Sequence, residues 1–122
     1  MTTTKSVADE VLAAFTAYEH ALCRNDIDAM NGYFWDSEDV VRFGLADEQW
    51  GAEQLHRWRA GAPAVPAGRM LTDTAVATLG EDTAIVTTLF GYPGESARGR
   101  QSQTWYRFAE GWRIVNAHVS RR

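Results

Sequence analysis

The segment "GRQSQTWYRFAEGWRIVNAHVS", residues 99–120, decides the fold because it contains two strand-like runs joined by a short turn. β-Branched and aromatic residues are frequent in both runs, and Glu110-Gly111 has the composition of a tight hairpin turn. The connection is too short for a crossover, so the two strands must pair antiparallel. The segment therefore predicts a hairpin formed by residues 99–108 and 112–120.

Alternation along this hairpin assigns its side chains to two faces of the sheet. If Glu110-Gly111 is a two-residue turn, Gln103 lies opposite His118 and Trp105 lies opposite Asn116. One face then carries Gln101, Gln103, Trp105, Arg107, Ile114, Asn116, His118 and Ser120. A polar and aromatic face of this kind suits a ligand cavity, and the alternative is a half-exposed or dimer-facing surface. A one-residue change of register would exchange the two faces.

Two more strand-like runs, residues 69–79 and 83–91, precede the hairpin. Residues 80–82 and 92–95 separate the runs and contain the Gly, Pro and acidic residues that form turns. Four strands with short connections predict an antiparallel meander.

The first half of the chain has helical spacing. Val7, Val11, Phe15, Tyr18 and Leu22 recur every three or four residues, which predicts a long amphipathic helix that begins after Ser6. A second, shorter helix is predicted from Ile27 to about residue 35, a short strand over 40–44 and a third helix over 51–60.

Helices followed by a meander of strands predict an α+β fold, in which a long N-terminal helix covers one face of a curved antiparallel sheet. This geometry leaves a pocket at the open end, between helix and sheet. The length of 122 residues predicts a single domain, residues 1–122.

Composition narrows the classes of partner. A net charge of −4 gives no support to nucleic-acid binding, which needs a basic face, and no such binding is expected. The N-terminus has no apolar run, so neither a signal peptide nor a membrane span is expected. The single cysteine, Cys23, favours a reducing compartment, and we expect a cytoplasmic protein. His20 and Cys23 have no second ligand pair, so no metal or other cofactor is expected.

Tyr18 and Arg42 are the two residues whose predicted burial needs an explanation. Tyr18 lies on the apolar stripe of the first helix, and a buried phenol needs a hydrogen-bond partner. Arg42 interrupts the apolar run "VVRFG", residues 40–44. A buried guanidinium must be paired, either with a carboxylate of the protein or with one of a substrate.

Five segments together resemble one protein family: "YEHALCRND" (18–26), "FW" (34–35), "VVRFGLADEQWG" (40–51), "GRQSQTW" (99–105) and "GWRIVNAHVS" (111–120). They resemble the AtzH-like family of the nuclear transport factor 2-like (SnoaL/ketosteroid isomerase-like) superfamily, over about residues 11–120. The resemblance implies a cone, in which a curved antiparallel sheet wraps around the first helix. It also implies a homodimer, which the aromatic content of both sheet faces favours.

The resemblance implies chemistry on small carboxylated ureas, of the type of a decarboxylating amidohydrolase that acts on 1,3-dicarboxyurea. It implies Tyr18 and Arg42 as the catalytic pair. Arg42 would bind the substrate carboxylate, and Tyr18 would donate a hydrogen bond to the carbonyl or the leaving nitrogen. Gln103 and His118 would orient the amide edges, with Trp105 and Asn116 also in the substrate-binding cavity.

Two other functions fit the same sequence. A non-catalytic module that binds a small acid would show the same residues. An isomerase or dehydratase of the ketosteroid isomerase type would need a carboxylate or His base inside the cavity. His118 is the clear candidate for such a base, with Glu48 a second candidate on a loop. The scarcity of carboxylates in the predicted strands counts against this alternative.

Overall fold

The computed structural model describes residues 5–96 and 98–122, which form three helices and a six-stranded sheet. The elements in chain order are α1 (Val7–Arg24), α2 (Ile27–Gly32), β1 (Val41–Phe43), β2 (Glu48–Trp50), α3 (Ala52–Gly61), β3 (Met70–Leu79), β4 (Thr83–Gly91), β5 (Gly99–Phe108) and β6 (Gly111–Arg121). The predicted α+β fold, with a long first helix against a curved sheet, is confirmed.

Local side-chain chemistry sets the ends of the first two helices. The Ser6 side chain accepts a hydrogen bond from the Asp9 backbone N–H and caps α1. Asn25 ends α1 in the left-handed conformation, with a φ of 53°. The Asp26 side chain then caps α2 by accepting from the Ala29 N–H. These caps fix where α1 ends and α2 begins, and Tyr18 lies on the buried stripe of α1.

The strands are arranged in the order β2-β1-β6-β5-β4-β3, and the sheet is mixed. The β1–β6 pair is parallel, whereas every other pair of strands among the described residues is antiparallel. Most of the chain separates β1 from β6, so no short turn constrains their relative direction. The sequence prediction of an antiparallel sheet therefore holds for the meander β3–β6 and for β1–β2, but not for the contact between β1 and β6.

A β-bulge in the final hairpin changes which side chains face inward. Ala109 and Glu110 form the turn, and Trp105 pairs with Ile114. Near the turn, the side chains of these two residues therefore share one face of the sheet, as predicted. Val115 is then an extra residue, and Thr104 pairs with Asn116. Beyond this bulge the alternation of β6 is reversed relative to β5.

The inner face of the hairpin consequently differs from the prediction in β6. Gln103 pairs with Ala117, and Gln101 pairs with Val119. Gln101, Gln103 and Ala117 are all buried. The predicted inward facing of Asn116 and His118 is wrong, since both lie beyond the bulge and are exposed on the outer face.

Gly99 is the point at which the inner face requires glycine. Gly99 pairs with Phe90 on β4, and a Cβ at Gly99 would overlap the Phe90 ring. We expect Gly99→Ala to lower the free energy of unfolding in urea by about 1–3 kcal/mol, because the ring must move within a packed core. Gly91→Ala is the matched control, since a Cβ added there would meet nothing within 4 Å and the φ of Gly91 is not positive. Equal stability of the two variants would contradict this explanation.

Candidate functional site

A cavity of about 360 Å³ opens between the inner face of the sheet, α1, α3 and the segment that follows α3. Of the residues predicted as site residues, Tyr18, Arg42 and Gln103 line it. Apolar residues from α1, β4, β6 and residues 62–66 form much of the rest of its wall, together with further polar and charged side chains. A largely apolar pocket with a few convergent polar groups is the usual form of a small-molecule site.

Arg42 is paired with a carboxylate of the protein. Its Nη1 donates to Asp47 Oδ1 at 2.8 Å and to Gln49 Oε1 at 2.9 Å. Gln49 Nε2 donates to the same Asp47 oxygen at 2.9 Å, which fixes the carboxylate in place. The guanidinium carbon lies 4.2 Å from the centre of the Trp58 ring. Arg42 Nε and Nη2 make no hydrogen bond within the described part of the chain, so one edge of the guanidinium is free for a ligand.

The electrostatic surroundings of Arg42 oppose its charge on balance. Burial lowers the pKa of Arg42 below its usual value, and the neighbouring Arg59 acts in the same direction. Tyr18 and Asp47 act in the opposite direction but do not outweigh burial. An anion beside Arg42 would relieve this cost.

Arg59 is a buried cation of the site that the sequence analysis missed. It is 6% exposed, and its guanidinium carbon lies 4.7 Å from the centre of the Trp58 ring. Its Nη2 donates to the Tyr18 hydroxyl oxygen at 3.4 Å. No carboxylate within residues 5–96 and 98–122 lies within 4.0 Å of it. Arg59 lies four residues after the buried Leu55, on the same side of α3, and this helical spacing is the one signal that the sequence offers for it.

Tyr18 lines the cavity and is held by aromatic neighbours. Its side chain is 3% exposed, and its ring makes edge contacts with Tyr33 and Phe34. The phenol oxygen accepts from Arg59, so the hydroxyl proton remains available to donate to a ligand.

Gln103 and Trp105 act together, although only Gln103 lines the cavity. Trp105 is fully buried and is not among the lining residues, and its indole N–H donates to Gln103 Oε1 at 3.1 Å. An indole N–H can only donate, so the carbonyl oxygen of Gln103 must face it. The Gln103 amide NH₂ is therefore left for the cavity. Trp105 orients the amide, and its predicted place as a wall of the pocket is not what the structure shows.

A buried polar network forms another side of the cavity. Arg69 Nε and Nη2 donate to the two carboxylate oxygens of Glu19 at 2.8 and 3.3 Å, and Nη1 donates to the Tyr92 hydroxyl at 3.0 Å. Gln101 accepts from Arg69 and donates to Glu19. Burial acts to lower the pKa of Arg69, but the hydrogen bonds and charge of Glu19 outweigh it and raise the pKa. The amide of Gln101 is thus occupied within the protein.

His118, Asn116 and Glu48 do not reach the cavity. His118 lies on the outer face of the sheet, where its ring makes an edge contact with Phe43. Asn116 is exposed on the same face, and Glu48 is exposed on β2. The residues considered as a possible catalytic base therefore lie elsewhere.

Two further findings concern metals and membranes. Within residues 5–96 and 98–122, no three side chains of His, Cys, Asp or Glu are grouped so that they could hold a metal ion. None of the helices in the same ranges has the length and apolarity that crossing a bilayer requires.

The unclosed curved sheet around α1, with a cavity between the helix and the inner face of the sheet, defines a nuclear transport factor 2-like fold. The model of the AtzH-like family matches residues 2–122. The chain belongs to the AtzH-like family.

Solved structures agree with this assignment. A cystatin-like fold protein from Burkholderia xenovorans LB400 is 46% identical, with a TM-score of 0.91 over 94% of this chain and 91% of that chain. A protein of unknown function from Pectobacterium atrosepticum SCRI1043 is 40% identical, with a TM-score of 0.92 over 95% and 91%. An NTF2-like protein from Pseudomonas putida KT2440 shares the fold at 18% identity, with a TM-score of 0.77 over 93% and 84%. No curated protein matches the chain.

Proposed function

We propose that the protein is an enzyme that acts on a carboxylated urea or a related small carboxylate, in the manner of a decarboxylating amidohydrolase. One observation carries this proposal: the free hydrogen-bonding groups of Tyr18, Arg42, Arg59 and Gln103 at the cavity are all donors. A set of donors complements a ligand whose edge consists of acceptors, such as carboxylate and urea carbonyl oxygens.

The geometry suggests a division of roles between these donors. The free edge of Arg42 would bind the substrate carboxylate through two N–H groups. Tyr18 would donate to the carbonyl oxygen or the leaving nitrogen, with the Gln103 amide as a further donor. Donors fixed in a water-poor site stabilise the negative charge that develops in the transition state.

Loss of carbon dioxide from an N-carboxy group requires that the site supply a proton to the nitrogen. The N–C bond breaks, its electron pair stays on nitrogen, and the nitrogen takes up one proton. Tyr18 would supply that proton and regain one from solvent. The apolar wall of the cavity favours this step, because a carboxylate becomes an uncharged product as it leaves.

An isomerase of the ketosteroid isomerase type receives less support from the geometry. Such an enzyme needs a free base beside the substrate carbon. Asp47 and Glu19, the carboxylates paired at this cavity, are both bound to guanidinium groups. His118 lies on the other face of the sheet.

Turnover of carboxylated ureas tests the proposal directly. The purified protein is incubated with 1,3-dicarboxyurea and with allophanate, and the release of carbon dioxide and ammonia is measured against the spontaneous rate. We expect release above that rate. If the protein binds these acids but accelerates neither release, it is a binding module and the enzymatic proposal fails.

We also propose a cytoplasmic location, in keeping with the single Cys23. A further proposal is a homodimer that forms through the outer face of the sheet. Leu79, Ile85 and Tyr106 are exposed on neighbouring strands of that face. Light scattering is expected to give about twice the chain mass of 13.6 kDa, and Ile85→Lys is expected to lower it towards the monomer. A monomeric wild-type protein would refute the dimer.

A further inference from the structure

We propose that Arg59 supplies the unbalanced positive charge that makes this cavity select an anionic ligand over an uncharged one of the same shape. The inference rests on the proposed function in one respect, namely that the ligand is a small carboxylate. It assigns the charge recognition to a residue outside the Tyr18–Arg42 pair.

The first argument is the balance of charge at the cavity. Three buried or half-buried guanidiniums, those of Arg42, Arg59 and Arg69, line it. Asp47 neutralises Arg42, and Glu19 neutralises Arg69. Arg121, also on the lining, is more exposed and has Glu95 at 3.6 Å. Arg59 is left with no carboxylate within 4.0 Å in the described part of the chain, so the site carries one excess positive charge.

The second argument is the cost of this arrangement. A charged group that is nine-tenths buried loses hydration free energy, and without a counter-ion no ion pair offsets this loss. The Trp58 ring and the Tyr18 oxygen compensate in part, since both offer electron density to the guanidinium. The remaining deficit would be removed by an anion, which explains why the protein keeps a cation here.

The third argument is the convergence of the two guanidiniums on one ring. Their carbons lie 4.2 and 4.7 Å from the centre of the Trp58 ring, so they are at most about 9 Å apart. Both guanidiniums line the same cavity, and Arg59 acts on the charge of Arg42 through space. A carboxylate bound in the cavity would therefore be attracted by both. Arg59 Nε and Nη1 make no hydrogen bond within the described part of the chain, and neither is fully buried, because among fully buried side-chain polar atoms there only Asn31 Oδ1 lacks a partner.

Arg59 also sets the orientation of Tyr18. Its Nη2 occupies a lone pair of the phenol oxygen, so the hydroxyl proton points away from Arg59. The ligand carboxylate at Arg59 would then lie next to the ligand atom that accepts the Tyr18 hydroxyl proton.

The test compares two stable probes, ureidoacetate and its uncharged amide, ureidoacetamide, by titration calorimetry. The wild-type protein is expected to bind the acid more tightly than the amide. Arg59→Gln should reduce this preference by roughly 10- to 100-fold, as expected for a buried hydrogen bond to a charged group. If the role of Arg59 were purely structural, Arg59→Gln would weaken the binding of both probes to the same extent. Arg57→Gln, on the exposed side of the same helix, is the matched control and should leave the preference unchanged.

Thermal unfolding of the ligand-free protein gives a second, independent measurement. Arg59→Met keeps the length of the side chain and removes the unpaired charge, so its melting temperature is expected to equal or exceed that of the wild type. A lower melting temperature together with a retained preference for the acid would overturn the proposal.

The outcomes separate this proposal from the proposed function. If Arg42→Ala removes the preference for the acid and Arg59→Gln leaves it unchanged, Arg59 is not the selecting charge and the catalytic proposal is unaffected. If the wild type shows no preference for the acid, the inference about Arg59 fails. The release of carbon dioxide from carboxylated ureas decides the catalytic proposal by itself.

Discussion

Arg42→Ala and Tyr18→Phe, each made alone, are expected to lower kcat/KM on a carboxylated urea by about 10²-fold or more, the effect of losing one donor to a developing oxyanion. Arg42 would lose its contact with the substrate carboxylate, so we expect its effect to appear partly in KM. Tyr18 would lose a hydrogen bond that is strongest in the transition state, so its effect should appear mainly in kcat. Steady-state kinetics with carbon dioxide release as the signal measures both.

Matched substitutions elsewhere separate a catalytic effect from a general one. Tyr106→Phe removes a phenol from the exposed outer face of the sheet and should leave kcat/KM within a factor of two or so. Circular dichroism and thermal unfolding establish that Tyr18→Phe and Arg42→Ala remain folded. Folded variants that turn over the substrate at the wild-type rate would refute the assigned roles.

The elements of the fold other than β2 could be predicted from local sequence patterns, whereas one consequential register could not. The four strands of the meander follow alternation and turn residues, and α1 follows its apolar stripe and caps. The bulge at Val115 has no such signal, because Val115 is an ordinary strand residue. The single extra residue places His118 and Asn116 outside the cavity and Ala117 inside.

The pairing of Arg42 illustrates a question that the sequence left open. Burial of a guanidinium within "VVRFG" could be inferred, but its partner depended on a turn that the pattern did not define. The Gly44 N–H donates to the Asp47 carbonyl at 2.8 Å, and this turn folds β2 back along β1. The Asp47 carboxylate thereby lies beside Arg42. A three-residue strand such as β2 is too short to be recognised by alternation.

The missed Arg59 shows how a site residue can be concealed by its surroundings. Arginine on a helix is usually exposed, and α3 is polar over most of its surface, so nothing in its composition marks this position. Only the combination of helical spacing from Leu55 with the closeness of α1 places Arg59 against Tyr18. That closeness is a property of the tertiary structure, which no single segment of the sequence carries.

Glu19→Ala is expected to lower the free energy of unfolding by about 3–5 kcal/mol, the largest effect on stability that we predict. The side chains of Arg69 and Glu19 are only 4% and 7% exposed, so the substitution leaves a buried guanidinium without its carboxylate. The Gln101 amide loses its acceptor at the same time. Unfolding in urea, followed by tryptophan fluorescence, measures the loss.

Removal of both charges in Glu19→Leu/Arg69→Met should recover at least half of the lost free energy of unfolding, because no unpaired ion remains. Glu53→Ala, which breaks the exposed pair with Arg57, is the control and should cost less than about 0.5 kcal/mol. If Glu19→Ala costs no more than this control, the buried pair does not hold Arg69, and the strand β3 that follows it, against α1.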